Sequence, residues 1–416
     1  MYAPILTRSG YGDHARDLAY SIIKHPDYEL QIYPTNWGNT SWDGLDISSE
    51  KGKEIDKCIF YKPESNPDIF IQLTIPNEFV RLGQYNIGIT AGIETDLCKP
   101  EWVQGCNNMD MVIGVSNHSI DVLKNSVFDK HEKDTNRLVG KVSLKENLKL
   151  EILFEGVDTN IFKKTNAIPS SIKSKLDSIK EENCYLFVGH WLDGKIGQDR
   201  KDVGMLIKTF GEAFKNKPSR TRPALILKTS GSSFSIKDKV EISKKIDAIT
   251  STIQNCPSVY LLHGQLSDAE MNGLYNHRKI KAMVSFTKGE GFGRPLLEFT
   301  TSGKPVIASN WSGHTDFLNP EMSILLPGDL TDLDSSVVNK WFMKEAKWFT
   351  VNYAYALKIF QALEKNYDHY KSLAENQKKY TESNFTFDKM VEKFHKILDS
   401  ISISKEISLT LPKIKK

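Results

Sequence analysis

Short apolar runs alternate with amphipathic stretches along most of this chain, and the alternation restarts once near its middle. The runs fall at residues 2–6, 30–33, 69–73, 85–90, 111–115 and 150–154, then at 184–188, 224–228, 259–262, 282–286, 306–308 and 324–326. Such runs separated by helix-length stretches read as β-α-β-α units, hence parallel sheets covered by helices. After the first run, Ala15, Leu18, Ala19, Ile22 and Ile23 share one helical face, with Asp13 as the expected N-cap. In the second half Val203, Leu206, Ile207, Phe210, Ala213 and Phe214 do the same. The expected fold class is α/β, with two Rossmann-like doubly wound domains in tandem. Such sheets bind ligands beyond the carboxyl ends of their strands, so two of them face to face would enclose an interdomain cleft.

The polar stretch 163–182, with Pro169-Ser170-Ser171 inside it, is the expected linker. It divides a domain at 1–168 from one at 169–385. Phe360, Leu363 and Tyr367 share a helical face, as do Met390, Phe394 and Leu398; the helix at about 386–402 is expected to pack back on the first domain, ahead of a basic tail at 403–416. The Lys-, Glu- and Asn-rich segment 130–149 reads as a solvated loop or an exposed edge.

With 39% hydrophobic and 26% charged residues in 416, the chain can build two sizeable cores. A formal charge of only +3 gives no argument for nucleic-acid binding. Five cysteines without a C-x-x-C pair speak against a disulfide framework or zinc site and for a reducing compartment. The N-terminus lacks a basic-then-apolar leader, and no run of 18 apolar residues exists. The expected location is cytoplasmic. Lysines in 124–149 and 163–180 would favour peripheral contact with the inner face of an anionic membrane, although interleaved acids favour a merely solvated face.

The richest local pattern is Lys288-Gly289-Glu290-Gly291-Phe292-Gly293-Arg294-Pro295-Leu296-Leu297-Glu298, directly after an apolar run. Three glycines permit a tight turn, Pro295 suits a first helical position, and a helix start there offers N–H groups to a diphosphate. Glu290 and Glu298 can both reach one crevice, where carboxylates accept hydrogen bonds from sugar hydroxyls. By the glycine pattern alone, a plain strand-turn-helix with two solvated glutamates is an equal reading. Two other strand ends carry His190 and Lys228, and Arg200-Lys201 precedes a helix.

With seven residues between Glu290 and Glu298, followed by Ser302-Gly303-Lys304-Pro305-Val306-Ile307-Ala308-Ser309, this stretch resembles the signature of the retaining GT-B glycosyltransferases of family 4, the group 1 type. The segment 260–268, Ile93-Glu94-Thr95-Asp96, Glu155-Gly156-Val157-Asp158 and the loop Ser9-Gly10-Tyr11-Gly12 are similar to other pieces of that family, in order. The resemblance implies transfer of a glycosyl group, with retention, from a UDP- or GDP-sugar to a hydroxyl on a saccharide, lipid-linked or protein acceptor. It assigns Glu298 to the ribose and Glu290 to the transferred sugar, with Gly291, Phe292, Gly293 and Arg294 near sugar and phosphates. Gly10, Gly12 and Gly264 would approach the donor through backbone. The family shows Gly-Arg after the strand at 184–188 and Lys-Gly before the next helix. Lys201 matches the lysine, whereas His190 stands where arginine is expected; Arg200, Lys195 or Lys228 would supply the missing charge.

Fixed cations of this kind stabilise a leaving diphosphate, so neither metal nor cofactor is expected. Asp332-Leu333-Asp334 reads as a turn or cap rather than a metal-binding pair. His118, at a strand end of the first domain, is a catalytic candidate on the acceptor side, with His14 and His314 behind it. Arg16 would face the cleft from the first helix; Asn310, Ser312 and Gly313 would offer backbone to the donor; Trp37 and Trp42 could form an acceptor wall. An epimerase or phosphorylase on the same architecture, or a catalytically silent nucleotide-sugar binder, are the alternatives.

Overall fold

The computed structural model describes residues 1–38, 40–62, 66–132, 137–192, 194–231, 234–339 and 341–402. The basic tail, and Asn39 between the two tryptophans, lie outside them. The first half holds β1 (Tyr2–Ala3), β2 (Tyr33–Pro34), β3 (Ile69–Leu73), β4 (Tyr85–Thr90), β5 (Met111–Gly114), β6 (Phe128–His131), β7 (Leu138–Val142) and β8 (Lys149–Ile152). The second holds β9 (Cys184–Val188), β10 (Ala224–Lys228), β11 (Val259–Leu261), β12 (Ile280–Ser285), β13 (Val306–Ser309), β14 (Ile324–Leu326), β15 (Gly328–Asp332) and β16 (Lys347–Val351).

Two six-stranded sheets result, ordered β2-β1-β3-β4-β5-β8 and β11-β10-β9-β12-β13-β14, with parallel pairing throughout. Strands such as β9 (CYLFV) are apolar without alternation because helices cover both of their faces. The two clusters flanking the second sheet use Tyr185, Phe187 and Leu225 on one face and Leu186, Ile226 and Met283 on the other. In this sheet the strand order reverses between β9 and β12, so the loops leaving those two strands flank a crevice. The first sheet reverses between β1 and β3, above which the loop into the helix Gly10–Ile23 lies.

The helix Phe387–Asp399 returns to the first domain, where Met390, Phe394, Ile397 and Leu398 join Leu18, Ile22, Ile89 and Ile113 in one core. The chain therefore crosses between domains twice. The crossings meet where Val157 N–H donates to Phe385 O (2.9 Å) and Phe387 N–H to Val157 O (2.8 Å).

Several local expectations are corrected. β1 ends at Ala3, since Pro4 has no N–H to extend the ladder. The run 30–33 shrinks to a bridge between Ile32 and Ile59 and the two-residue β2. The segment 130–149 contributes to an exposed antiparallel ribbon, β6–β7. The supposed linker contains the helix Ser170–Asp177, whose Ile172 and Leu176 are buried in the second core. Ser9, not Asp13, caps the first helix, its Oγ accepting from Gly12 N–H at 3.0 Å. β15 and β16 form an antiparallel hairpin with its own small core around Trp348, packed against Leu97 of the first domain.

Candidate functional site

The glycine turn after β12 lies directly against the first domain. A Cβ on Gly289 would stand 2.2 Å from Glu94 O, and one on Gly291 2.5 Å from Ala91 O. Only glycine permits that approach. Gly293, at φ +97°, starts the helix Arg294–Thr300, with Pro295 in its first turn. Ser116 Oγ donates to Gly291 O (2.6 Å) and Asn117 N–H to Asp316 Oδ2 (2.8 Å), so the first domain is closed over the turn. The helix spans seven residues.

Side-chain cations lie against the same turn. Lys201 Nζ contacts Glu290 Oε1, and Arg200 NH1 lies 3.0 Å from Glu94 Oε1 and 3.6 Å from Glu290 Oε2. Burial pushes the Glu290 carboxyl up, but Lys201 and Arg200 outweigh it and hold the group down at about 2. Burial lowers the Lys201 ammonium, opposed by Glu290. Behind this pair, Lys288 is 1% exposed; its Nζ lies 3.5 Å from Asp202 Oδ2 and donates to Thr350 Oγ1 at 2.8 Å. Tyr353 OH donates to the same Asp202 oxygen at 2.6 Å. Asp202 holds φ +52°, a left-handed conformation that Asp tolerates better than most residues, at the position where the resemblance expects glycine. Lys288 N–H also donates to Arg200 O (2.7 Å), joining the loops that carry Lys201 and Glu290.

Arg294 reaches across the interface. Its guanidinium contacts Asp17 and lies 3.5 Å from Glu155 Oε2, while Nε is 3.6 Å from Glu298 Oε1. Despite burial, Arg294 and Lys51 hold Asp17 down at about 2. Burial raises Glu155 to about 7. Glu298, which accepts from Tyr275 OH at 3.1 Å, is pushed up to about 8 by burial, with Asp268 adding to the effect and Arg294 opposing it.

Of the other expected residues, Lys228 donates to Gly264 O at 2.8 Å, and burial lowers its ammonium to about 8. Gly264 has φ +108° and open space where a Cβ would stand. His190 Nδ1 hydrogen-bonds Ser230 Oγ (3.0 Å); burial first, then Lys201, lowers its pKa. Lys195 sits apart, 3.6 Å from Asp334. The Phe292 ring is buried against Phe317, leaving its backbone to the turn. Gly12 is required because a Cβ would stand 2.1 Å from Thr7 O, whereas Gly10 faces open space. Arg16 folds back under this loop onto Ile5 O and Thr7 O (2.9 Å each) instead of facing the cleft. Trp37 stacks on Tyr11 with ring centroids 3.7 Å apart; Trp42 is exposed.

His118 donates from Nε2 to Ile93 O (3.0 Å) and its ring packs edge-on against Trp311 of the second domain. These contacts place it at the interface between the two domains. His14 is buried with neither ring nitrogen bonded. Asn310 is exposed, its N–H donating to Leu326 O, while Ser312 Oγ accepts from Glu290 N–H (2.9 Å) and Gly313 N–H donates to Glu290 O (3.0 Å). Asp332 ends β15 beside Lys347, and Asp334 Oδ1 accepts from Ser336 N–H, a turn as expected. Among the described residues no group of three or more His, Cys, Asp or Glu can hold a metal ion. No described helix is long and apolar enough to cross a membrane.

Sequence reasoning gave no role to Glu94, Asp17, Lys288 or Asp202. Glu94 and Lys288 lie in segments that drew notice for their pattern, but Asp17 gave no local signal, its partner Arg294 being 277 positions away.

Residues 207–328 match the family described as Glycosyl transferases group 1. Among curated protein sequences none matches the chain. Solved structures with a similar fold include sucrose-phosphate synthase from Thermosynechococcus elongatus (TM-score 0.61, 13% identity, covering 94% of this chain and 93% of that one). A glycosyltransferase from Rickettsia africae is similar at TM-score 0.59 and 14% identity over 95% and 96% of the two chains. Anabaena HepE in complex with UDP reaches 0.50 and 14% over 94% and 82%. The chain thus has the GT-B fold of two facing doubly wound domains, and its second domain carries the sequence pattern of the group 1 glycosyl transferases.

Proposed function

We propose that this protein transfers a glycosyl group from a nucleoside diphosphate sugar to a hydroxyl acceptor, with retention at the anomeric carbon and without a metal ion. The observation that carries the reading is the Arg200-Lys201 pair facing Glu290 at the mouth of the second sheet's crevice. A donor entering there exchanges the Lys201–Glu290 contact for its own groups. The cations meet the diphosphate, whose charge grows as the glycosidic bond breaks, and fixed charges in a closed site stabilise such growth best. Glu290 is ionised and accepts from hydroxyls of the transferred sugar. Glu298 takes the ribose hydroxyls. Closure of the first domain over the glycine turn excludes water and so suppresses hydrolysis of the donor. Saccharide, lipid-linked and protein hydroxyls are all open as acceptors, and UDP is the first nucleotide to test, since HepE binds it on this fold.

The test is nucleotide release from a panel of UDP- and GDP-sugars, with and without acceptors. Lys201→Ala is expected to slow turnover about 100-fold with little change in nucleotide binding. Glu298→Ala is expected to weaken sugar-nucleotide binding about tenfold. Near-normal kinetics in both variants would discard the assignment. Binding without turnover on any acceptor would mark a silent binder, and consumption of donor without acceptor an epimerase.

A further inference from the structure

His314 is fully buried, and one of its ring nitrogens has no partner. Nε2 lies 2.6 Å from Ser309 O. A carbonyl only accepts, so Nε2 carries the proton and Nδ1 of the neutral ring presents a bare lone pair. Burial lowers the pKa of the ring, which keeps it neutral. A buried acceptor without a donor has given up its hydrogen bond to water and calls for a reason.

Its surroundings supply one. Residues 312–314 lie on the glycine turn: a Cβ on Gly313 would stand 1.9 Å from Gly291 O, and one on Gly293 would be 3.0 Å from His314 Cβ and 3.7 Å from Glu290 Cγ. Glu290 and Lys201 are the charged groups whose fields reach the imidazole. His314 is therefore a close neighbour of the Lys201–Glu290 contact. A sugar hydroxyl can donate to an imidazole nitrogen while accepting from an ammonium.

We infer that His314 is a specificity-determining residue whose Nδ1 accepts a hydrogen bond from a hydroxyl of the transferred sugar. This rests on the transferase reading above and adds a contact to the sugar alone, not to the nucleotide. The bond is made when the donor displaces Lys201 from Glu290, and it selects for sugars bearing a hydroxyl at that place.

Two variants separate the ring's roles. His314→Gln keeps an N–H where Nε2 stands, so the bond to Ser309 O survives, but places no acceptor at Nδ1. His314→Asn keeps an acceptor near Nδ1 and loses the Ser309 bond. Calorimetry on the full chain would use UDP, GDP, UDP-glucose, UDP-N-acetylglucosamine and GDP-mannose. In His314→Gln, affinity for the free nucleoside diphosphate should stay within about twofold of wild type, while that for the preferred sugar nucleotide falls about tenfold. His314→Asn should recover most of that loss even if its melting temperature drops. Equal loss for nucleotide and sugar nucleotide, or loss for neither, would overturn the inference. A wild-type chain that binds none of the five probes would instead sink the transferase reading beneath it.

Discussion

Two glutamates eight positions apart in sequence are shifted in opposite directions. Glu290 has two cations within reach and stays charged; Glu298 has a single guanidinium at 3.6 Å, already shared with Asp17 and Glu155, and burial wins. A carboxyl whose folded-state pKa is raised stabilises the fold only while protonated. Its contribution is complete below about 4.5 and is lost as pH rises through about 8. Glu298→Gln has no such proton to lose. Its stability to denaturant should match wild type near pH 4 and exceed it near pH 9 by on the order of 5 kcal/mol. A constant difference across that range would show that folding does not raise the Glu298 carboxyl. The same proton matters for binding: if ribose hydroxyls donate to the ionised carboxylate, nucleotide binding near pH 7 releases a proton, visible as a buffer-dependent heat.

Among the elements, the β15–β16 hairpin helps tie the loops that carry Lys201 and Glu290 to the opposite domain. Lys347 O accepts from Asp96 N–H (2.9 Å) and Lys347 N–H donates to Asp96 Oδ1 (2.6 Å); two residues on, Phe349 N–H donates to Lys288 O (3.0 Å). The buried Lys288–Asp202 pair then fixes the loop that carries Lys201. Removing one partner of such a pair leaves an uncompensated charge, which costs more than the pair is worth. Lys288→Met should therefore destabilise the chain by roughly 3 kcal/mol, and adding Asp202→Gly, which suits the left-handed backbone, should restore much of that. Equilibrium unfolding checks both, and additive losses would show the pair to be unlinked. None of this was legible in the sequence. The strands of the second sheet were, because burial on both faces writes a continuous apolar run, and so was the glycine turn with its two glutamates. The hairpin was not: its core around Trp348 is completed by Leu97, far away in the chain, and Asp202 reads as an ordinary polar residue until its backbone angle is known. The helix Ser170–Asp177 was hidden for a similar reason, since only two of its eight residues, Ile172 and Leu176, are buried.

At the scale of the whole molecule, the two domains meet at the chain crossings, at the β15–β16 hairpin and at the site. The crossings pair at Val157 and Phe385–Phe387, where a Cβ on Gly156 would stand 2.6 Å from Phe387 Cα. The site is the glycine turn under Ala91 and Glu94, braced by Arg200–Glu94 and Arg294–Asp17. Closure brings those ion pairs together, so a change that blocks the last ångström should separate nucleotide binding from turnover. Gly291→Ala is such a change. Its backbone is not in the left-handed region, and the atoms nearest the added methyl belong to Ala91 of the other domain, 2.5 Å away at its carbonyl oxygen. Displacements of about 1 Å at a reacting centre cost on the order of 100-fold in rate. Gly291→Ala is thus expected to keep UDP or GDP affinity within about twofold, to melt within a few degrees of wild type, and to lose at least tenfold in turnover, with a larger radius of gyration by solution scattering in the presence of nucleotide. Unchanged turnover in a folded variant would mean that contact between the turn and Ala91 is not part of the working state, and that the first domain acts from further away.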